Sequence, residues 1–146
     1  IARWLMRNAD IFIFDEPTTG LHFYDVEKLL KSFDVLLSKG HSIVVVEHNL
    51  DVIKTADYII DIGPGAGVHG GEVIAEGTAE EIKKNLKSIT GKYLSGDIKI
   101  LVPEKRRKGN KKFLEVIGAK ENNLKEVNVK IPLGVMNVVT GVSGSR

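Results

Sequence analysis

Apolar residues in this chain gather into short runs and one long amphipathic stretch. Ile11-Phe12-Ile13-Phe14 is unbroken and rich in β-branched and aromatic types, which predicts a short strand buried on both faces. From about Tyr24 to Ser38, Val26, Leu29, Leu30, Phe33, Leu36 and Leu37 recur at helical spacing and form one broad apolar face. Lys39-Gly40 closes that helix, and His41 to Val46 is a second apolar strand. Strand, helix, strand in this order predicts a right-handed βαβ unit with two parallel strands.

The pattern continues in smaller pieces. Ile1, Leu5 and Met6 share a face at helical spacing, ended by Asn8-Ala9-Asp10. Asn49 to Lys54 reads as a short helix and Ala56 to Asp61 as a strand. Gly63 to Gly71 is a turn joining two strands; without a Lys in a strand–Gly-loop–helix context, its glycines make no phosphate cradle. Glu72 to Ala75 is the returning strand, and Thr78 with Glu81 predicts a capping box opening the next helix. Phe113 to Val116, Val127 to Ile131 and Val135 to Thr140 read as three further strands, separated by turns at Asn122-Asn123 and Pro132-Leu133-Gly134.

Three parts follow from these elements. Residues 1–84 form an α/β unit with a mostly parallel sheet. Residues 85–112 lose periodicity and carry the basic run Lys105-Arg106-Arg107-Lys108-Gly109-Asn110-Lys111-Lys112, which reads as an inter-domain linker. Residues 113–146 are a small β-rich piece. Clustered Lys and Arg can also displace counterions from DNA, so Lys105, Arg106, Arg107 and Lys108 are the alternative duplex contacts. No aromatic interleaves them, so they offer no stacking platform for single strands.

Composition narrows the classes. At 146 residues the chain is long enough for a real core, and 42% hydrophobic with 27% charged content is that of a soluble globular protein. No apolar run approaches the roughly 20 residues of a membrane span, and no signal peptide is evident, so a cytoplasmic location without membrane attachment is expected. The absence of cysteine excludes a disulfide framework or a thiolate zinc site within this stretch. A net charge of +2 is too small to argue for nucleic acid by itself.

The candidate chemistry sits at two strand ends. Asp15-Glu16 follows the first strand directly, and Glu47-His48 follows the second. In an open α/β sheet ligands bind beyond the carboxyl ends of the strands. Asp15 is the candidate ligand for Mg²⁺, directly or through water. Glu16 is the candidate for orienting the attacking water, and His48 for contacting a γ-phosphate. At the far end of the chain, Val135 to Thr140 runs into Gly141-Val142-Ser143-Gly144-Ser145. This resembles the first part of a P-loop, whose backbone N–H groups cradle phosphates, with Arg146 standing where the next glycine belongs.

Asp15-Glu16-Pro17-Thr18-Thr19-Gly20-Leu21-His22, a helix, and a strand ending in Glu47-His48 resemble the Walker B, D-loop and H-loop succession of ATP-binding-cassette (ABC) ATPases. In one such module the P-loop comes first; here its beginning comes last. The order fits two tandem modules, with this chain a fragment spanning their junction. Ala56 to Pro64, Thr90-Gly91-Lys92-Tyr93-Leu94-Ser95-Gly96 and Gly118-Ala119-Lys120-Glu121-Asn122-Asn123-Leu124 resemble the tandem UvrA family more specifically. That resemblance implies a P-loop NTPase half-domain followed by the start of a second ABC module. It implies ATP and Mg²⁺ as cofactors, with zinc in the full-length family but no ligands for it in this chain. It also implies DNA damage recognition in bacterial nucleotide excision repair, homodimerisation and loading of UvrB. The alternatives are a UvrA-like paralogue serving transport or drug resistance, and a catalytically inactive remnant. The chain alone is expected to be inactive.

Overall fold

The computed structural model describes residues 9–142, 144 and 145. The helix expected around Ile1, Leu5 and Met6 lies outside the described residues, as do Ser143 and Arg146. The chain divides into two compact units, one comprising residues 9–19 and 26–100, the other residues 20–25, 101–142, 144 and 145.

In the first unit, β1 (Ile11–Asp15) and β2 (Ser42–Val46) pair in parallel, with Ile11 opposite Ser42 and Asp15 opposite Val46. Helix α1 (Phe23–Ser38) makes the crossover between them. Its buried residues Val26, Leu29, Phe33 and Leu36 recur every three or four positions, and the Phe33 ring meets that of Phe14 at 4.9 Å. Gly40, at φ 85°, lets the chain turn back so that the His41 N–H reaches the Leu36 carbonyl at 3.3 Å.

Burial on both faces of β1 does not hold. Phe12 is 5% exposed, whereas its neighbours Ile11 and Ile13 are 59% and 73% exposed. One helix layer covers one side of a two-stranded ribbon, and strand alternation turns Ile11, Ile13, Val44 and Val46 to the other. Leu37, expected on the buried face of α1, is also exposed.

The rest of the unit is built on a hairpin. β3 (Ile59–Gly63) and β4 (Glu72–Gly77) pair antiparallel, with a bulge after Asp61. The connection contains a 3-10 turn at Gly67–His69, as expected of a strand-joining turn. Helix α2 (Leu50–Ile53) precedes the hairpin, and α3 (Ala79–Lys84) follows it. The expected capping box is present: Thr78 N–H donates to Glu81 Oε2 at 2.8 Å, and Glu81 N–H donates to Thr78 Oγ1 at 3.4 Å. Residues 85–112, expected as a linker throughout, contain a helix, α4 (Ile89–Ser95), and its Leu94 joins Ile59, Ala75 and Ile82 in one apolar cluster.

The wording Thr90 to Gly96 has a physical reading. Ser88, fully buried, accepts from Gly91 N–H at 2.7 Å and donates to Asp61 Oδ2 at 2.6 Å. Thr90 Oγ1 donates to the other Asp61 oxygen at 2.8 Å, which ties α4 to β3. A Cβ on Gly91 would run into the Ile82 carbonyl oxygen, and Gly96 takes the left-handed cap at φ 87°.

In the second unit, β5 (Phe113–Ala119) and β6 (Val127–Pro132) form an antiparallel hairpin, braced by Lys130–Glu115 at 2.7 Å. The strand expected at Val135 to Thr140 is not formed: Asn137 Nδ2 donates to the Pro132 carbonyl at 2.9 Å, and Met136, Val138 and Val139 are exposed. A ladder needs a partner strand, and none lies beside these residues among those described. The mostly parallel sheet is corrected likewise. The described residues form three two-stranded sheets, of which one is parallel.

Replacing Gly91 by Ala should lower stability by about 1–3 kcal/mol despite alanine's better helix propensity, because the methyl group must displace backbone. Leu36→Ala, which empties a fully buried site, should cost about 2–5 kcal/mol. Urea unfolding followed by circular dichroism reads both, and an unchanged Gly91→Ala midpoint would contradict the α3–α4 packing described here.

Candidate functional site

The parallel register fixes where the polar residues emerge. Pairing ends at Asp15 opposite Val46, with one further backbone bond from Glu16 N–H to the Val46 carbonyl at 2.9 Å. The residues just past each strand, Glu16 and Glu47-His48, therefore leave the sheet side by side. Asp15, Glu16 and His48 are exposed at this edge, and His48 Nδ1 lies 3.8 Å from Glu16 Oε1.

Glu16 has a left-handed backbone, φ 42°, which is uncommon outside glycine. Such conformations persist where the surroundings fix them, and they gather at functional sites. Here the Val46 carbonyl holds the Glu16 N–H, while Thr19 N–H donates back to the Glu16 carbonyl at 3.2 Å. The result is a tight turn, Glu16 to Thr19, in which the Thr19 hydroxyl also donates to Glu16 Oε2 at 3.4 Å.

Glu47 organises the edge. Its Oε1 accepts from Thr18 N–H at 2.9 Å and Thr18 Oγ1 at 2.6 Å. Its Oε2 accepts from the N–H groups of His48 at 3.0 Å and Asn49 at 3.1 Å. Partial burial pushes the Glu47 carboxyl up, but the bonds from Thr18, Asn49 and His48 outweigh it and hold the group below the usual carboxylate range. Sequence reasoning placed Glu47 at the edge and gave it no role. The available signal was Thr18, a hydroxyl two residues past Glu16, facing an acid two residues before Asn49, which caps α2 through Asp51 N–H at 2.9 Å.

Among the described residues no group of three or more His, Cys, Asp or Glu is placed to hold a metal ion by itself. An exposed carboxylate at a strand end is the kind of ligand Mg²⁺ takes when waters and phosphate oxygens complete its shell. Asp15 is one exposed carboxylate at the end of β1. The other expected site residues belong to the second unit. Gly141, Val142, Gly144 and Ser145 form a turn in which Ser145 N–H donates to the Val142 carbonyl at 3.0 Å. Gly144 has φ 81°, and its carbonyl accepts from Asn123 Nδ2 at 3.2 Å. Lys105, Arg106, Arg107 and Lys108 are exposed.

No family model matches the chain. Individual proteins do. UvrABC system protein A of Deinococcus radiodurans is 56% identical over 135 residues, which is 92% of this chain and 13% of that protein. The chain is thus similar to one segment of UvrA proteins. UvrABC system protein A of Clostridium acetobutylicum is also 56% identical over 92% of the chain, and 14% of its own length is covered. The crystal structure of UvrA2 from Deinococcus radiodurans superposes with a TM-score of 0.87 at 43% identity, over 98% of this chain and 18% of that one. The UvrA-like segment thus spans about an eighth to a fifth of the proteins it matches. Among the described residues no helix is long and apolar enough to cross a membrane.

The lowered Glu47 carboxyl gives a pH dependence with a definite sign. Its contribution to stability is present above the ordinary value of 4.5 and lost as pH falls through the folded value. Glu27, Glu80 and Glu81 are lowered too, by Lys31, Lys83 and the Thr78 N–H respectively, so the wild type should lose stability on acidification through several groups. Glu47→Gln should flatten that loss as pH falls below about 4.5 without abolishing it. Urea midpoints across this range check it, and an identical slope in wild type and variant would rule out the Glu47 contribution.

Proposed function

We propose that this segment supplies the hydrolytic edge of an ABC-type ATPase acting in nucleotide excision repair. The reading rests on one observation: two parallel strands in register bring Asp15-Glu16 and Glu47-His48 to the same end of the ribbon. The 56% identity to UvrABC system protein A supports the repair reading, and the partners proposed with it are DNA, UvrB and a second copy of the full-length protein.

Asp15 would hold Mg²⁺, directly or through water, and the ion would supply neutralisation of phosphate charge. Glu16 orients and polarises the attacking water. His48 hydrogen-bonds the γ-phosphate, and its place 3.8 Å from Glu16 puts phosphate contact and water-orienting group next to each other. Gly141 to Ser145 begins a phosphate loop of the neighbouring module. The exposed run Lys105 to Lys108 serves as a solvated connector, since its composition offers cations without stacking groups.

In the full-length ATPase carrying this segment, Glu16→Gln should lower kcat about 10²–10⁴-fold and leave the nucleotide KM within a few-fold. The 146-residue chain alone, which carries no Gly-Lys-Ser, should show no ATP turnover. A phosphate-release assay covers both, and wild-type turnover in the Glu16→Gln enzyme would remove this reading.

A further inference from the structure

Glu47 has no part in the chemistry just described, yet it makes more side-chain hydrogen bonds than any other group at the edge. Four donors converge on its two oxygens, two from Thr18 and two from the His48 and Asn49 amides. They belong to segments 29 residues apart: the turn that follows Glu16 and the loop that carries His48. Backbone pairing between those segments ends at the Glu16 N–H bond to Val46. Past that point Glu47 does with a side chain what another rung of the ladder would do.

We propose that Glu47 is a positioning residue that locks the Glu16–Thr19 turn to the His48 loop, and so sets Glu16 against His48. Its consequence for turnover rests on the ATPase reading; the lock itself does not. The chemistry requires a carboxylate. Each oxygen takes two donors, and an ionised carboxylate is acceptor-only with room for about four hydrogen bonds. Glutamine has nearly the same shape but replaces one oxygen by an NH₂ group. That group would face N–H donors, leaving either Thr18 or the His48-Asn49 pair without an acceptor. Thr18 shares the task through its hydroxyl, so Thr18→Val removes one of the four bonds and Thr18→Ser keeps it.

The test has two readouts. In the 146-residue chain, Glu47→Gln should speed amide hydrogen exchange about tenfold at Thr18, or at both His48 and Asn49, while β3 and β4 amides keep their protection. In the full-length ATPase the same variant should lower kcat roughly tenfold at saturating ATP, with KM within about twofold. Thr18→Val should follow in the same direction by less, and Thr18→Ser should restore the wild-type rate. Should Glu47→Gln fail to fold, Thr18→Val against Thr18→Ser carries the same comparison. Unchanged exchange at all three amides overturns the lock. Faster exchange with unchanged kcat overturns its role in positioning. Wild-type turnover in Glu16→Gln would instead sink the ATPase reading, and the exchange data would still decide whether the lock exists.

Discussion

The short parallel ladder between β1 and β2 is what everything at the edge depends on. Five residue pairs in register bring Asp15 opposite Val46, and from there the polar residues are next to one another without any long-range folding of loops. A slip of one residue would turn Phe14 away from Phe33 and send the apolar set to the wrong face. The same slip would pull Glu16 out of reach of His48. Packing against α1 and assembly of the site are therefore secured by the same register.

Past the last rung, side chains take over from backbone. Glu16 leaves the strand in a left-handed conformation, and the turn it opens closes on itself through Thr19. Glu47 then ties that turn to the opposite loop. A surface ion pair such as Glu16 with His48 contributes little by itself, because both groups are largely solvated. Their separation is held by the ladder and by the half-buried Glu47 bonds, where donors and acceptor are partly shielded from water. A second lock of the same kind, Asp61 with Ser88 and Thr90, fixes α4 on the hairpin and gives the Thr90 to Gly96 sequence its structural meaning.

Much of this was legible in the residues. Periodicity located α1, both strands of the parallel pair, and the capping box, because each depends on neighbours within a few positions. The acid pair and the histidine were legible as strand-end residues for the same reason. What failed depended on partners that local pattern does not specify. An apolar run says that Ile11 and Ile13 could be buried, but not that a second layer covers them. Val135 to Thr140 has strand composition, yet a strand exists only beside another. Glu47 was visible as an acid next to a histidine, but its four bonds come from a turn distant in sequence. Helix α4 escaped because its stretch is short, and its one deeply packed large side chain, Leu94, joins a cluster drawn from three other elements.

The central claim is that the paired strand ends face the phosphates and metal of a bound nucleotide. The most direct measurement is a structure of the full-length protein carrying this segment with Mg²⁺, ADP and fluoroaluminate. The expected result has Asp15 on the magnesium, directly or through one water. Glu16 should lie on the water in line with the fluoroaluminate and His48 within hydrogen-bond distance of it. A nucleotide bound with none of these three side chains at its phosphate end would contradict the claim.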